Sequence, residues 1–140
     1  MIFPSIPELR IVTVLNRGVA NEECIALLAE DRVNTASYFL VIAYSQEGDG
    51  SVVPYRDSTL WLGNQFLEAG DWLYVYTGSG TFRKGRTADE KNDMYVVHWG
   101  RDTTIFANSN VVPVLFRIDA LNIGEKPRNT RQLPLLPGRS

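Results

Sequence analysis

His98 is the only histidine and Cys24 the only cysteine in a chain of 140 residues, which limits the chemistry at once. One Cys and one His do not make a zinc site, and no pair of histidines is present. A Ser-His-Asp relay would have to use His98 with Asp102 and one of several serines, and no nucleophile-elbow motif accompanies them. In the run from Met94 to Trp99, His98 shares a strand face with Val96 and Met94, so a packed or surface histidine is expected. No catalytic residue, metal ligand or cofactor is assigned; a small hydrolase built on His98 stays as an alternative. Cys24 has no intrachain partner and reads as a buried free thiol, behaving as a small apolar residue.

Binding chemistry has more candidates. Gly78-Ser79-Gly80-Thr81, followed by Arg83, Lys84 and Arg86, has the look of a phosphate-cradling loop. A true P-loop needs a Gly-Lys-Ser/Thr ending that opens a helix, and neither is present. The plain reading is a flexible turn with solvated cations, partly offset by Asp89, Glu90 and Asp93; the alternative is an anion or nucleic-acid contact. Trp61, Trp72, Tyr74 and Tyr76 can form a platform for a peptide or a sugar, although such residues more often build the core and one partly exposed strand face. The acidic pairs Glu22-Glu23, Glu47-Asp49 and Asp89-Glu90 match no EF-hand and are expected to be solvated turn residues. Leu133-Pro134-Leu135-Leu136-Pro137, after a basic linker, suits an extended peptide that docks in a groove, against plain terminal disorder.

These residues need elements to position them, and the stretch from Leu60 to Gly80 is central. It reads as a strand end, a tight Glu68-Ala69-Gly70-Asp71 turn and a strand from Trp72 to Thr77. Trp72, Tyr74 and Tyr76 face one way there, Leu73 and Val75 the other. Leu9 to Leu15 is a β-branched strand, and Tyr38 to Tyr44 is apolar enough for a central strand buried on both faces. Glu22 to Glu30 has helical composition, but its place between strands and short turns favours a strand. Ser51 to Arg56 and Thr59 to Leu62 are short strands, Pro54 confining the first to an edge or bulge. Met94 to Trp99 and Val111 to Ile118 are the last two, with Pro113 again marking an edge or a bulge. Gly78 to Asp93, charged and without periodicity, is expected to be an exposed loop.

Seven or eight short strands with no convincing long helix predict an all-β, immunoglobulin-like antiparallel sandwich. The expected division is an extended arm over 1–8, the sandwich over 9–121, and a Pro-rich basic tail over 122–140. At 44% hydrophobic residues the chain can bury a real core, and a net charge of −2 gives no global pull towards nucleic acid or membrane. No apolar run approaches the roughly 20 residues that cross a bilayer, and the N-terminus lacks the basic and apolar regions of a signal peptide. A cytoplasmic protein is therefore expected.

Phe66-Leu67-Glu68-Ala69-Gly70-Asp71-Trp72-Leu73-Tyr74-Val75-Tyr76 resembles the lamin-tail domain, in which a Leu-x-x-Gly turn leads into an apolar strand. Val97-His98-Trp99-Gly100 sits where that family often has a tryptophan. Asn108-Ser109-Asn110, leading into Val111 to Phe116, is similar to its polar turn and closing strand. Where the family often opens a strand with Gly-x-Trp, Ser37-Tyr38 stands here. The resemblance covers Leu9 to Asp119 and implies an immunoglobulin-like, non-catalytic module for protein contacts, sometimes for DNA or envelope association. The expected function is protein binding or self-assembly, with a protein partner or a homo-oligomer, through the sandwich surface and the apolar arms. The binding residues would be Trp72, Tyr74, Tyr76 and Leu133, Pro134, Leu135, Leu136, Pro137. Nucleic-acid or anion binding through Arg83, Lys84, Arg86 and the basic tail is the alternative.

Overall fold

The computed structural model describes residues 4–46, 48 and 50–127. Ten strands follow one another: β1 (Leu9–Leu15), β2 (Cys24–Ala29), β3 (Val33–Asn34), β4 (Tyr38–Ser45), β5 (Val52–Trp61), β6 (Phe66–Leu67), β7 (Trp72–Tyr76), β8 (Arg83–Arg86), β9 (Asp93–His98) and β10 (Val111–Arg117). Among the described residues the only helical element is a single 3-10 turn, Thr35–Ser37, capped by the Asn34 side chain, which accepts from the Ala36 N–H. The fold is all-β and sandwich-like. One sheet has the order β1-β2-β7-β9-β8, a second has β10-β4-β5, and β3 pairs with β6 as a small third ladder.

The core lies between the two larger sheets. Ile25, Leu27 and Ala29 of β2, Leu73 and Val75 of β7 and Tyr95 of β9 meet Tyr38, Leu40 and Ile42 of β4, with Phe106 and Val111 closing one side. Each buried Leu, Ile or Val contributes about 1.5–3 kcal/mol relative to exposure. Period-two alternation puts these residues on the inner face, as the sequence indicates for Leu73 and Val75. Within Glu22–Glu30 a strand does form, Cys24–Ala29, because its alternate residues must face a core that its neighbours on both sides also face. β7 is the middle strand of the five, and β4 the middle strand of the three.

Three expectations are corrected. Gly78–Asp93 is not wholly loop: Arg83–Arg86 forms β8, pairing antiparallel with β9 from Arg83↔Val96 to Arg86↔Asp93. A four-residue edge strand of charged side chains and one glycine has no hydrophobic period to announce it; its ladder is made by backbone alone. The two short strands foreseen around Pro54 and Thr59 are one, β5, with a bulge between them. And the sheets are not antiparallel throughout. The chain passes from β7 to β8 and returns between them as β9, which therefore runs parallel to β7.

Glu23, foreseen as a solvated turn residue, is buried at 1% exposure. Its Oε1 accepts from Thr77 Oγ1 (2.9 Å) and the Ile105 N–H (2.7 Å), its Oε2 from the N–H groups of Gly18 (2.7 Å) and Phe106 (2.9 Å). One carboxylate thus ties the turn before β2, the end of β7 and the loop before β10. Burial works to raise its pKa, but the four hydrogen bonds outweigh burial and hold it below the usual carboxylate value. Glu22, its neighbour, is exposed as expected. At the other end Glu8 receives the Tyr38 hydroxyl and the Arg117 guanidinium (2.8 Å), joining the N-terminal segment to β4 and β10. Ile6 packs on this chain's own core, so that part of the proline-marked arm is committed within the molecule.

Candidate functional site on the outer face of the five-stranded sheet

The turn at 68–71 sets the site. Gly70 adopts φ +93°, and the Asp71 carboxylate accepts from the Glu68 N–H (2.9 Å) and from the Asp93 N–H (3.0 Å). A side chain buried to 4% exposure therefore clamps the start of β9 against the start of β7. Asn92 reinforces it by donating to Ala69 O (3.2 Å). From that clamp β7 and β9 run in register, Trp72↔Met94, Tyr74↔Val96 and Tyr76↔His98, all on the face away from the core. On the other side β2 sets Leu28, Ala26 and Cys24 beside Trp72, Tyr74 and Tyr76.

Those outer positions of the three middle strands are Cys24, Ala26, Leu28, Trp72, Tyr74, Tyr76, Met94, Val96 and His98, and none carries a formal charge with His98 neutral. A sheet face that meets water normally alternates to polar residues. Here Cys24, Ala26 and Val96 are themselves buried by their larger neighbours. The Trp72 and Tyr74 rings stack at 5.8 Å, and Tyr76 stacks on His98 at 5.5 Å. Trp72, Tyr74 and Tyr76 share one face as foreseen. None of them, nor Trp61, is in the core, where the aromatic places go to Tyr38, Tyr95 and Phe106.

A shallow cavity of about 250 Å³ opens on this face, lined by Leu15, Tyr74, Tyr76, Met94 and Val96 with Arg83, Lys84 and Gly85 at its rim. Aromatic and basic candidates that lie apart in the sequence are thereby brought together, with Gly85 leaving room where a side chain would stand. The cations are not equivalent. Arg86 binds Asp93 Oδ1 (2.8 Å) and Lys84 lies 3.8 Å from Asp93 Oδ2 and over the Tyr95 ring. The Arg86 hydrogen bond and these charges hold Asp93 below the usual carboxylate range. Arg83 has no ion-pair partner among the described residues. The charges of β8 have a further role: they blunt an edge strand that would otherwise offer a free ladder to another chain.

Among the described residues His98 makes no hydrogen bond to Asp102 or to a serine, and its buried Nδ1 has no hydrogen-bond partner. Gly80 lies flat against its ring; a Cβ there would fall 2.3 Å from His98 Cε1. Gly80 thus packs over a histidine, and Gly78 lies against Asn21. Cys24 is buried and free, its thiol pushed up to about 12 by burial. Leu133 to Pro137 lie outside the described residues.

One further face escaped the sequence reading. On the outer side of the three-stranded sheet Phe116, Phe39 and Trp61 stand in one row across β10, β4 and β5, with Phe39 stacked on Phe116 at 5.2 Å and Trp61 55% exposed. The unbroken apolar run of β4 was the signal, since a strand apolar on both faces needs cover on both. No family model, curated protein or solved structure matches this chain.

Proposed function

We propose that this chain is a non-catalytic interaction module, resembling the lamin-tail domain, that binds a protein partner or a second copy of itself through the outer face of the five-stranded sheet. The observation that carries this reading is the uncharged set of outer positions on β2, β7 and β9, with a cavity and a basic rim beside it. Contiguous apolar surface of this kind marks interaction sites in soluble proteins. Aromatic residues framed by an arginine are the side chains that dominate such contacts. The reading takes the protein as cytoplasmic, on the strength of a lone thiol that no disulfide uses. The Pro/Leu tail at 133–137 is a second contact in this proposal.

The test is solution mass by size-exclusion chromatography with light scattering, on the full chain, on Tyr74→Glu and on a chain cut after Asp119. A defined oligomer lost in Tyr74→Glu supports the sheet face as the contact, and one lost only on truncation moves the contact to the tail. A chain that is monomeric at every concentration removes self-association and leaves a different partner. Nucleic-acid binding has one observation in its favour, the uncommitted Arg83 beside Tyr74 and Tyr76. It predicts affinity for single strands that falls steeply with added salt.

A further inference from the structure

The β5 bulge builds a second, more polar cavity. Val41 pairs with Thr59 and Ala43 with Pro54, so Tyr55, Arg56, Asp57 and Ser58 stand opposite Ile42 alone. Asp57 takes φ +54°, and the buried Ser58 Oγ lies 2.7 Å from Tyr55 O and 3.3 Å from Ile42 O, holding the loop closed on itself. Bulges of this sort re-aim side chains and are enriched beside functional sites. Between the bulge and the segment after β9 lies a cavity of about 330 Å³, with Arg56, Arg101, Thr103 and Thr104 in its wall and Tyr55 and Ile105 beside them.

Among the described residues no carboxylate lines this cavity. Arg10, Arg32, Arg86 and Arg117 are each paired with an acid, and Arg17 donates to the carbonyls of Phe106 and Val111. Among the described residues that leaves Arg56 and Arg83 without a bond of either kind and Arg101 with no acid and a single carbonyl, and Arg56 and Arg101 meet here. Arg101 is also oriented: its Nη1 donates to Asp57 O at 3.3 Å, and among the described residues its other N–H donors have no partner. The nearby Glu23 carboxylate takes its four donors from Gly18, Thr77, Ile105 and Phe106, and none from either arginine. Among the described residues the hydroxyls of Thr103 and Thr104 have no hydrogen-bond partner.

We propose that this cavity binds a small phosphomonoester, with the phosphate held by Arg56, Arg101, Thr103 and Thr104 and the body of the molecule against Tyr55 and Ile105. Guanidinium forks match the oxygen spacing of a phosphate, and hydroxyls complete its acceptor set. The volume exceeds that of a bare phosphate and sits at the small end of ligand pockets, which run from about 300 Å³ upward. The site lies outside the aromatic face of the other sheet and does not depend on its role.

The experiment is a backbone-amide NMR titration of the isotope-labelled full chain with ribose 5-phosphate at low salt, with ribose and inorganic phosphate as comparison probes. Saturable shifts at Arg56, Thr103 and Thr104 are expected, with weaker binding of inorganic phosphate and no response to ribose. Arg56→Ala is expected to weaken binding by about tenfold or more, and Arg56→Ala with Arg101→Ala to abolish it. Arg56 makes no side-chain bond among the described residues, so its single variant tests the site even if loss of Arg101 disturbs the bulge. Absence of shifts at millimolar ribose 5-phosphate, or unchanged affinity in Arg56→Ala, overturns the proposal. Inorganic phosphate binding as tightly as the ester, or a matching response to ribose, overturns the phosphomonoester assignment.

Discussion

Replacing Glu23 by Gln keeps the shape of the side chain and removes one of the two acceptor ends that its four donors use. In the better orientation the amide nitrogen faces Thr77 Oγ1 and the Ile105 N–H, and the remaining oxygen faces Gly18 and Phe106. The Thr77 hydroxyl can turn to accept, but the Ile105 N–H meets another donor. An orphaned buried donor costs about 1–3 kcal/mol, and the two bonds that lose their charge assistance weaken by about 1 kcal/mol each. The sum is about 3–5 kcal/mol, a large part of the 5–15 kcal/mol or so that holds a domain folded. For a chain of this length that corresponds to a melting temperature lower by roughly 10–15 °C. The sign of the pH dependence follows from the depressed pKa of Glu23. Its contribution is complete above the unfolded value near 4.5 and is lost as pH falls through the folded value. Urea unfolding of both proteins at neutral and at acid pH is the assay. The gap between wild type and Glu23→Gln should narrow on acidification. A neutral-pH loss below about 1 kcal/mol would refute the claim that this carboxylate organises the three segments.

The other consequences are simpler to state. Gly80→Ala places a methyl inside the His98 ring, so His98 must leave its stack on Tyr76 at a cost of about 1–3 kcal/mol; an unshifted His98 NMR signal in a stable variant would contradict the packing. Cys24 should resist a thiol reagent at mildly alkaline pH in the native protein and react fully in denaturant, and rapid native labelling would disprove its burial. Asp71→Ala leaves the N–H groups of Glu68 and Asp93 unpaired and should free the β8–β9 hairpin before the rest unfolds. Amide hydrogen exchange reads this, and unchanged protection from Lys84 to Val96 would count against the clamp.

The strands that the sequence shows clearly are those whose two faces differ or whose apolar run is unbroken. Leu9 to Leu15, Trp72 to Tyr76 and Val111 to Arg117 are legible because β-branched or aromatic residues recur at the pleat period and turn residues bound them. Pro54 and Pro113 point to edge positions for the same reason that they fit there: β5 and β10 are the outer strands of their sheet, where a missing N–H costs nothing. β8 is invisible because it buries nothing. Glu23 is invisible for the opposite cause. Its partners at Gly18, Thr77, Ile105 and Phe106 are spread over most of the chain, and only the folded topology brings their donors to one point.

The candidate site falls between these cases. Residue types alone mark Trp72, Tyr74 and Tyr76 as one face and Arg83, Lys84 and Arg86 as one cluster, but not that the two adjoin. Their meeting depends on β9 returning between β7 and β8, which puts Val96 beside Tyr74 and Arg83 beside Val96 in one row. That row also decides which cation matters. Alternation along β8 turns the charges of Lys84 and Arg86 to Asp93 and places Arg83 on the side of the tyrosines, so of the three cations at this edge Arg83 alone lacks an ion pair among the described residues. An apolar face with one arginine at its rim favours contact with a folded surface over a polyanion, because a polyanion needs several cations along its length. The parallel insertion of β9 is therefore the feature on which the proposed binding preference rests.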